Sequence, residues 1–344
     1  MNIVNQKIIQ AIIDKANKFC PDSLALIGIY GSVATGDAYE KSDLDLLVLI
    51  QNEAGQKLKT GFILEDSQVG YDIYCTSWAG LKYDAECHHA HISKLMDSQI
   101  VYIGNQEAYA QLCKLRSHAR LCLESEERFE RVHELVNKAK ISYANACLRE
   151  DIGEIRVEAC GVMHYLSDAV MIYHGKYFKL GVKRAFEELC ALPIDEMFIS
   201  TMKKIAVCKD ASELRRLLRS LILYTEHHVR RKTALLETED ILAGTYEEMY
   251  SNWRNKVEEA AVNKDAFASY MNMANLHYML SNISEKVQIG TYNVMSEYSP
   301  DILEDNIRIF DQVLDNYEDV YKRAGLNVKR FADVDEFVES YMSE

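Results

Sequence analysis

The chain has 344 residues, 48% of them hydrophobic, which suits two globular domains able to bury a full core. Its formal net charge of -14 argues against a long nucleic acid as partner, because backbone binding relies on lysine and arginine displacing counterions from phosphates. Nine cysteines without a C-x-x-C pair point to reduced thiols in a cytoplasmic protein, and no apolar run reaches the roughly 18 residues of a membrane span.

In chain order, Ile8, Ile9, Ile12, Ile13, Ala16 and Phe19 recur at helical spacing and predict an amphipathic helix over residues 3–19. Pro21-Asp22-Ser23 stops it. Leu24 to Tyr30 is an apolar run of strand length, broken by Gly31-Ser32. Ser32 to Ala38 is short, small and polar enough to open a brief helix, whose free N–H groups would attract phosphate while Gly31 permits close approach. Next comes Ser42-Asp43-Leu44-Asp45-Leu46-Leu47-Val48-Leu49. Alternation along a strand places Asp43 and Asp45 on one face and the aliphatic side chains against a core. Two carboxylates side by side repel each other, an arrangement relieved by a hard divalent cation such as Mg²⁺.

Residues 61–65 and 69–76 read as a hairpin joined by Asp66-Ser67-Gln68, with Asp72 the acidic residue inside its second strand. Ala79 to Met96 reads as helix and contains Cys87-His88-His89-Ala90-His91. Structural zinc wants four ligands, commonly as two separated pairs, and no second pair follows, so a solvated helix end is the plainer reading. A short strand over residues 99–104 and a helix over 106–123 complete this region.

Past Glu124 strand-like runs disappear. Segments 128–149, 153–173, 212–228, 241–262, 266–283, 300–323 and 334–341 all carry helical periodicity, and only three prolines interrupt the chain. The expected fold class is α+β: an N-terminal domain of strands and helices over residues 1–120, then an all-α bundle over 121–344. Lys176, Lys179 and Lys183 form a basic island in an acidic chain, either a solvated turn or a phosphate contact, with Lys183 favoured because it opens the following helix.

Gly31-Ser32, a spacer containing Ala34 and Gly36, and Ser42-Asp43-Leu44-Asp45 together resemble the signature of the DNA polymerase β-type nucleotidyltransferase superfamily, in its minimal and antibiotic (kanamycin nucleotidyltransferase-like) branch. The stretch from His164 to Pro193 is loosely similar to the helical second domain of the antibiotic-type members. It departs from them at Tyr173-His174-Gly175, where they carry asparagine or arginine.

The resemblance implies a mixed sheet flanked by helices and an enzyme that moves a nucleoside monophosphate, AMP by expectation, from ATP or another nucleoside triphosphate onto a hydroxyl. Two Mg²⁺ ions would be held by Asp43 and Asp45, with Asp72 as third ligand unless it is an outward charge on a half-exposed sheet. Gly31, Ser32 and Lys183 would bind the nucleotide. A glutamate of the helical domain would orient the acceptor. Glu158, which shares a helix face with Tyr165 and Asp168, is the candidate, against the alternative of an exposed acidic face.

Expected partners are the triphosphate and a small hydroxyl-bearing acceptor, a cationic one being suited to nearby acidic residues, with a homodimer as a further option. Neither a long nucleic acid nor a membrane is expected. Two other readings stay open: a protein-adenylylating enzyme of antitoxin type, and a catalytically silent nucleotide-binding regulator.

Overall fold

In the computed structural model, residues 3–181, 184–230 and 238–343 are described. Ile9, Ile12 and Ala16 face inward from helix α1 (Ile3–Phe19), at the spacing that defines its apolar stripe. Strand β1 (Leu24–Ile29) leads into α2 (Gly31–Thr35), and β2 (Leu46–Ile50) follows. Both strands are buried along their full length, so they read in the sequence as continuous apolar runs. Leu26, Leu47 and Leu49 pack on one face of the sheet, and Ile27, Ile29, Val48 and Ile50 on the other with α1. Each fully buried aliphatic side chain contributes about 1.5–3 kcal/mol.

The expected hairpin is β3 (Thr60–Leu64) and β4 (Val69–Ile73), a two-stranded sheet of its own. Two residues later β5 (Cys75–Thr76) joins the main sheet, which β6 (Gln99–Ile103) completes in the order β5-β2-β1-β6. The β1–β2 and β1–β6 pairs are antiparallel and β2–β5 is parallel, giving a mixed sheet.

The helix expected over residues 79–96 is two helices, α3 (Trp78–Ala85) and α4 (Ser93–Met96). Between them Cys87 adopts a left-handed φ of 55°, and the chain turns through the histidine run. Helices α5 (Gln106–Glu124), α6 (Arg128–Leu148), α7 (Ile152–Tyr173), α8 (Ala185–Cys190), α9 (Glu196–Val207) and α10 (Ala211–His228) follow. Asn105, Asp151, Asp195 and Asp210 cap α5, α7, α9 and α10, each accepting a backbone N–H with its side chain. Helix α9 has no counterpart among the expected elements.

The overall class is mixed α+β, a small sheet with helices followed by a largely helical region. Among the described residues no strand follows Ile103, and the expected line at 120/121 lies beyond that change of secondary structure. It falls inside α5, and packing divides elsewhere: the compact units are residues 1–230 and 231–344. One apolar core runs from Leu26, Leu47 and Leu49 through α3–α7 to Leu218 and Ile222 on α10, which explains why residues 121–230 stay with the sheet.

The second unit contains α11 (Thr238–Leu242), α12 (Thr245–Met249), a π-helical turn (Tyr250–Arg254), α13 (Asn255–Val262), α14 (Ala266–Ser284), α15 (Val294–Glu297), α16 (Leu303–Arg323) and α17 (Val334–Tyr341). Its core gathers Leu276, Leu280, Phe310, Tyr317 and Tyr321. The two buried tyrosine hydroxyls are satisfied: Tyr317 lies 2.8 Å from the Thr245 hydroxyl, and Tyr321 donates to the Leu242 carbonyl at 2.6 Å. No described helix is long and apolar enough to cross a membrane.

Candidate active site

Where β1 ends, Tyr30 is extended and its N–H donates to the Asp45 carbonyl at 3.1 Å, carrying the pairing with the incoming strand one residue past the sheet. Gly31 then takes a φ of 66° and starts α2, and Gly36 closes that helix at a φ of 80°. The tightness of the turn is set by Asp45. A Cβ built on Gly31 would lie 1.9 Å from Asp45 Oδ2, so only glycine fits against this carboxylate.

Asp43 and Asp45 lie just ahead of β2, with Leu44 and Leu46 buried between and after them, so the expected alternation holds at the strand's entry. Asp43 is exposed and Asp45 half-buried. Burial, and then the neighbouring Asp43, push the Asp45 carboxyl above the usual range, while a hydrogen bond from the Ser32 N–H pulls the other way. Burial also drives the Tyr30 hydroxyl up to about 12, with the charges of Asp45, Asp43 and Asp84 adding to the effect. Among the described residues no lysine, arginine or histidine pairs with Asp43 or Asp45. A half-buried Asp45 beside an exposed Asp43, with no countercharge among the described residues and presenting hard oxygen donors, fits a divalent cation.

Beside this turn lies a cleft of about 220 Å³ lined by Tyr30, Gly31, Ala34, Thr35, Ser93, Asp97, Gln99 and Lys179. That volume lies below the roughly 300–1,000 Å³ of pockets that enclose a drug-sized ligand, and suits part of a nucleotide better than the whole. Of the two described lysines of the basic island, Lys179 lines the cleft. Lys176 is exposed, and Lys183 lies outside the described residues. Farther along the same segment, Arg184 donates to Asp37 at 2.5 Å and ties the start of α8 to the loop after α2.

The structure thus brings Gly31, Ser32, Asp43 and Asp45 together. Asp72 is not joined to them: it is exposed, opposite Gly61 in the separate hairpin. Among the described residues no group of three or more His, Cys, Asp or Glu is placed to hold a metal, which covers the histidine run as well. The parallel pairing of β5 with β2 covers only Val48↔Cys75 and Leu49↔Thr76 and does not extend back to Asp72. The chain crosses from one sheet to the other at Tyr74, before that pairing begins.

Glu158 is half-buried on α7, ten positions before Asp168, or about 15 Å along the helix. Asp168 is the residue of that face that meets the sheet domain. It is 4% exposed and 3.5 Å from His91 Nε2, and it accepts the Ala90 N–H. Burial raises its carboxyl to about 6 and lowers His91 to about 4. Tyr30, Asp97 and Gln99 were not among the expected site residues. Tyr30 carried a local signal, immediately preceding Gly31-Ser32, whereas Asp97 and Gln99 are recognisable only from the fold.

Residues 10–102, which hold β1, α2, both aspartates and the whole mixed sheet up to Tyr102, match the family model described as nucleotidyltransferase domain. Residues 10–102 therefore resemble a nucleotidyltransferase domain of the polymerase β-type superfamily, a class that transfers nucleoside monophosphates. No curated protein matches the chain. Among solved structures, it is similar to a nucleotidyltransferase-like protein from Exiguobacterium sibiricum 255-15, at 10% identity and a TM-score of 0.33, over 72% of this chain and 80% of that one.

Proposed function

We propose that the protein transfers a nucleoside monophosphate, AMP in the leading case, from a nucleoside triphosphate to a hydroxyl of a small acceptor, releasing pyrophosphate. The observation that carries this reading is the close approach of Gly31 to Asp45, where the Tyr30 N–H donates to the Asp45 carbonyl and the Ser32 N–H to its carboxylate, setting the Gly-Ser turn against the Asp-x-Asp segment. Asp43 and Asp45 would hold two Mg²⁺ ions, whose charge would neutralise the triphosphate and favour in-line displacement at the α-phosphorus. The rest is positioning and electrostatics, which supply most of the rate in phosphoryl transfer.

In this reading Ser32 and the backbone at Gly31 orient the phosphates of the leaving group, and Lys179 places a cation on the same cleft. Lys183 remains a proposed second cation. Asp72 would complete the carboxylate set as third ligand. Glu158 is retained as a proposed acceptor-orienting residue on the helical region, where the acidic face would suit an amine-bearing acceptor. Incubation with labelled ATP, Mg²⁺ and a panel of hydroxyl-bearing and amine-bearing acceptors, read as pyrophosphate release, tests the activity. Transfer to a small acceptor is expected, and labelling of protein alone would turn the reading toward a protein hydroxyl.

A further inference from the structure

Lys179 reaches the cleft from an irregular segment, residues 174–181, that follows α7. A long lysine on such a segment would ordinarily sample many positions, yet three consecutive backbone amides here are held from outside. The Phe178 N–H donates to the Ala90 carbonyl at 2.9 Å. The Lys179 N–H donates to Glu188 Oε1 at 2.8 Å, and the Leu180 N–H donates to Glu188 Oε2 at 3.0 Å. Both oxygens of one carboxylate are thus spent on the residue that faces the cleft and on the one after it. Phe178 is buried and stacked on the His91 ring at 4.6 Å, which fixes the near side of the segment. Tyr177 adds a hydrogen bond to Asp97, itself a wall of the cleft, at 2.8 Å.

The choice of a carboxylate for this task is informative. The Lys179 and Leu180 amides lie in a partly exposed segment, where water would satisfy them at little cost. An acidic side chain next to a lysine meant for phosphate repels the same ligand. That repulsion is offset only if holding the backbone improves the lysine's placement.

We propose that Glu188 is a positioning residue that sets Lys179 against the cleft for the phosphates of the nucleotide, an inference that rests on the reading of this cleft as the triphosphate site. Glu188 does not touch the ligand; it acts through the backbone of Lys179 and Leu180. It belongs to α8, so this short helix serves the sheet domain's site even though its own residues lie far along the chain.

The experiment is a double-mutant cycle on the full chain, reading the Kd for inorganic tripolyphosphate with Mg²⁺ by calorimetry, which depends neither on the nucleotide base nor on the acceptor. Lys179→Ala should raise Kd roughly 10-fold or more, as expected for loss of a charge-assisted hydrogen bond, and Glu188→Ala roughly 3-fold to 10-fold. Because Glu188 acts through Lys179, Glu188→Ala in the Lys179→Ala background should cause no further loss, and the release of repulsion should leave Kd equal or slightly lower. Glu188→Gln, which keeps one acceptor oxygen, should fall between wild type and Glu188→Ala, and it carries the test if the alanine variant is unfolded. Additive losses would overturn the proposal, as would an unchanged Kd in Glu188→Ala beside a weakened Lys179→Ala. An unchanged Kd in Lys179→Ala is a different failure: it removes the triphosphate reading of the cleft and the proposal with it.

Discussion

Replacing Gly31 with alanine tests the core of the site, because Gly36 supplies an internal control in the same turn. Both glycines are left-handed, at φ 66° and 80°, so each alanine pays a similar backbone cost of roughly 1–2 kcal/mol. They differ in what a Cβ meets. At Gly36 nothing lies within 4 Å, whereas at Gly31 the new atom would be 1.9 Å from Asp45 Oδ2 and 2.7 Å from its Cγ. Since real Cβ atoms do not approach within 3.0 Å, the carboxylate or the turn must move by about 1 Å, and a displacement of that size at a reacting centre is worth roughly 100-fold in rate. Both variants should therefore melt a few degrees lower, about 2–4 °C per kcal/mol for a unit of this size. Only Gly31→Ala should lose Mg²⁺-dependent pyrophosphate release, by roughly 100-fold, or about 2.7 kcal/mol of barrier. Melting curves and initial rates on the two proteins decide it. Full turnover in Gly31→Ala, or equal losses in both, would refute the claim that the site depends on this close approach.

Asp43→Asn and Asp45→Asn should each cut nucleotide transfer by roughly 100-fold or more, while Asp45→Asn leaves the melting temperature unchanged or higher, because a half-buried like charge is relieved. A melting temperature that drops sharply in Asp45→Asn would show that the carboxylate is structural. Asp72→Asn should also abolish turnover if Asp72 is the third ligand, and normal rates in that variant would remove Asp72 from the site. Asp168 predicts a pH dependence of stability. Its folded value near 6 lies above the ordinary 3.8, so the native state holds the proton more tightly. The associated stabilisation is full below about pH 4 and is lost as pH rises through 6, a difference on the order of 3 kcal/mol. Asp168→Asn should consequently melt higher than wild type at pH 8 and show little advantage at pH 4, and a pH-independent difference would contradict this.

The parts of the fold legible in the sequence are those whose causes are local. Strands β1 and β2 read correctly because burial on both faces leaves an uninterrupted aliphatic run, and α1 because its inward positions repeat every three or four residues. Two elements defeated that reading for tertiary reasons. The helix expected over residues 79–96 is broken at Cys87 because Ala90 takes backbone partners from elsewhere: Asp168 on α7 accepts its N–H, and the Phe178 N–H donates to its carbonyl. The helix expected over 241–262 is interrupted at Gly244, left-handed at φ 79°, and again by the π-helical turn, neither of which disturbs the apolar period. Propensity gives way wherever distant contacts reward another conformation.

The site divides along the same line. Gly31, Ser32, Asp43 and Asp45 were legible because turn and strand are neighbours in sequence as well as in space, so that spacing encodes geometry. The lysine contribution was legible only as an island of charge, since Lys179 lines the cleft on a backbone that Ala90 and Glu188 hold from outside the segment. Asp72 shows the limit most clearly. Its residue type and its place in a strand suit the third ligand that the sequence suggests, but β4 takes β3 as partner and leaves Asp72 exposed. A strand offered two edges pairs with the one its hairpin turn delivers, and four residues, 65–68, close that hairpin. Bringing Asp72 onto β2 would require breaking hairpin pairs at Asp72 and Ile73.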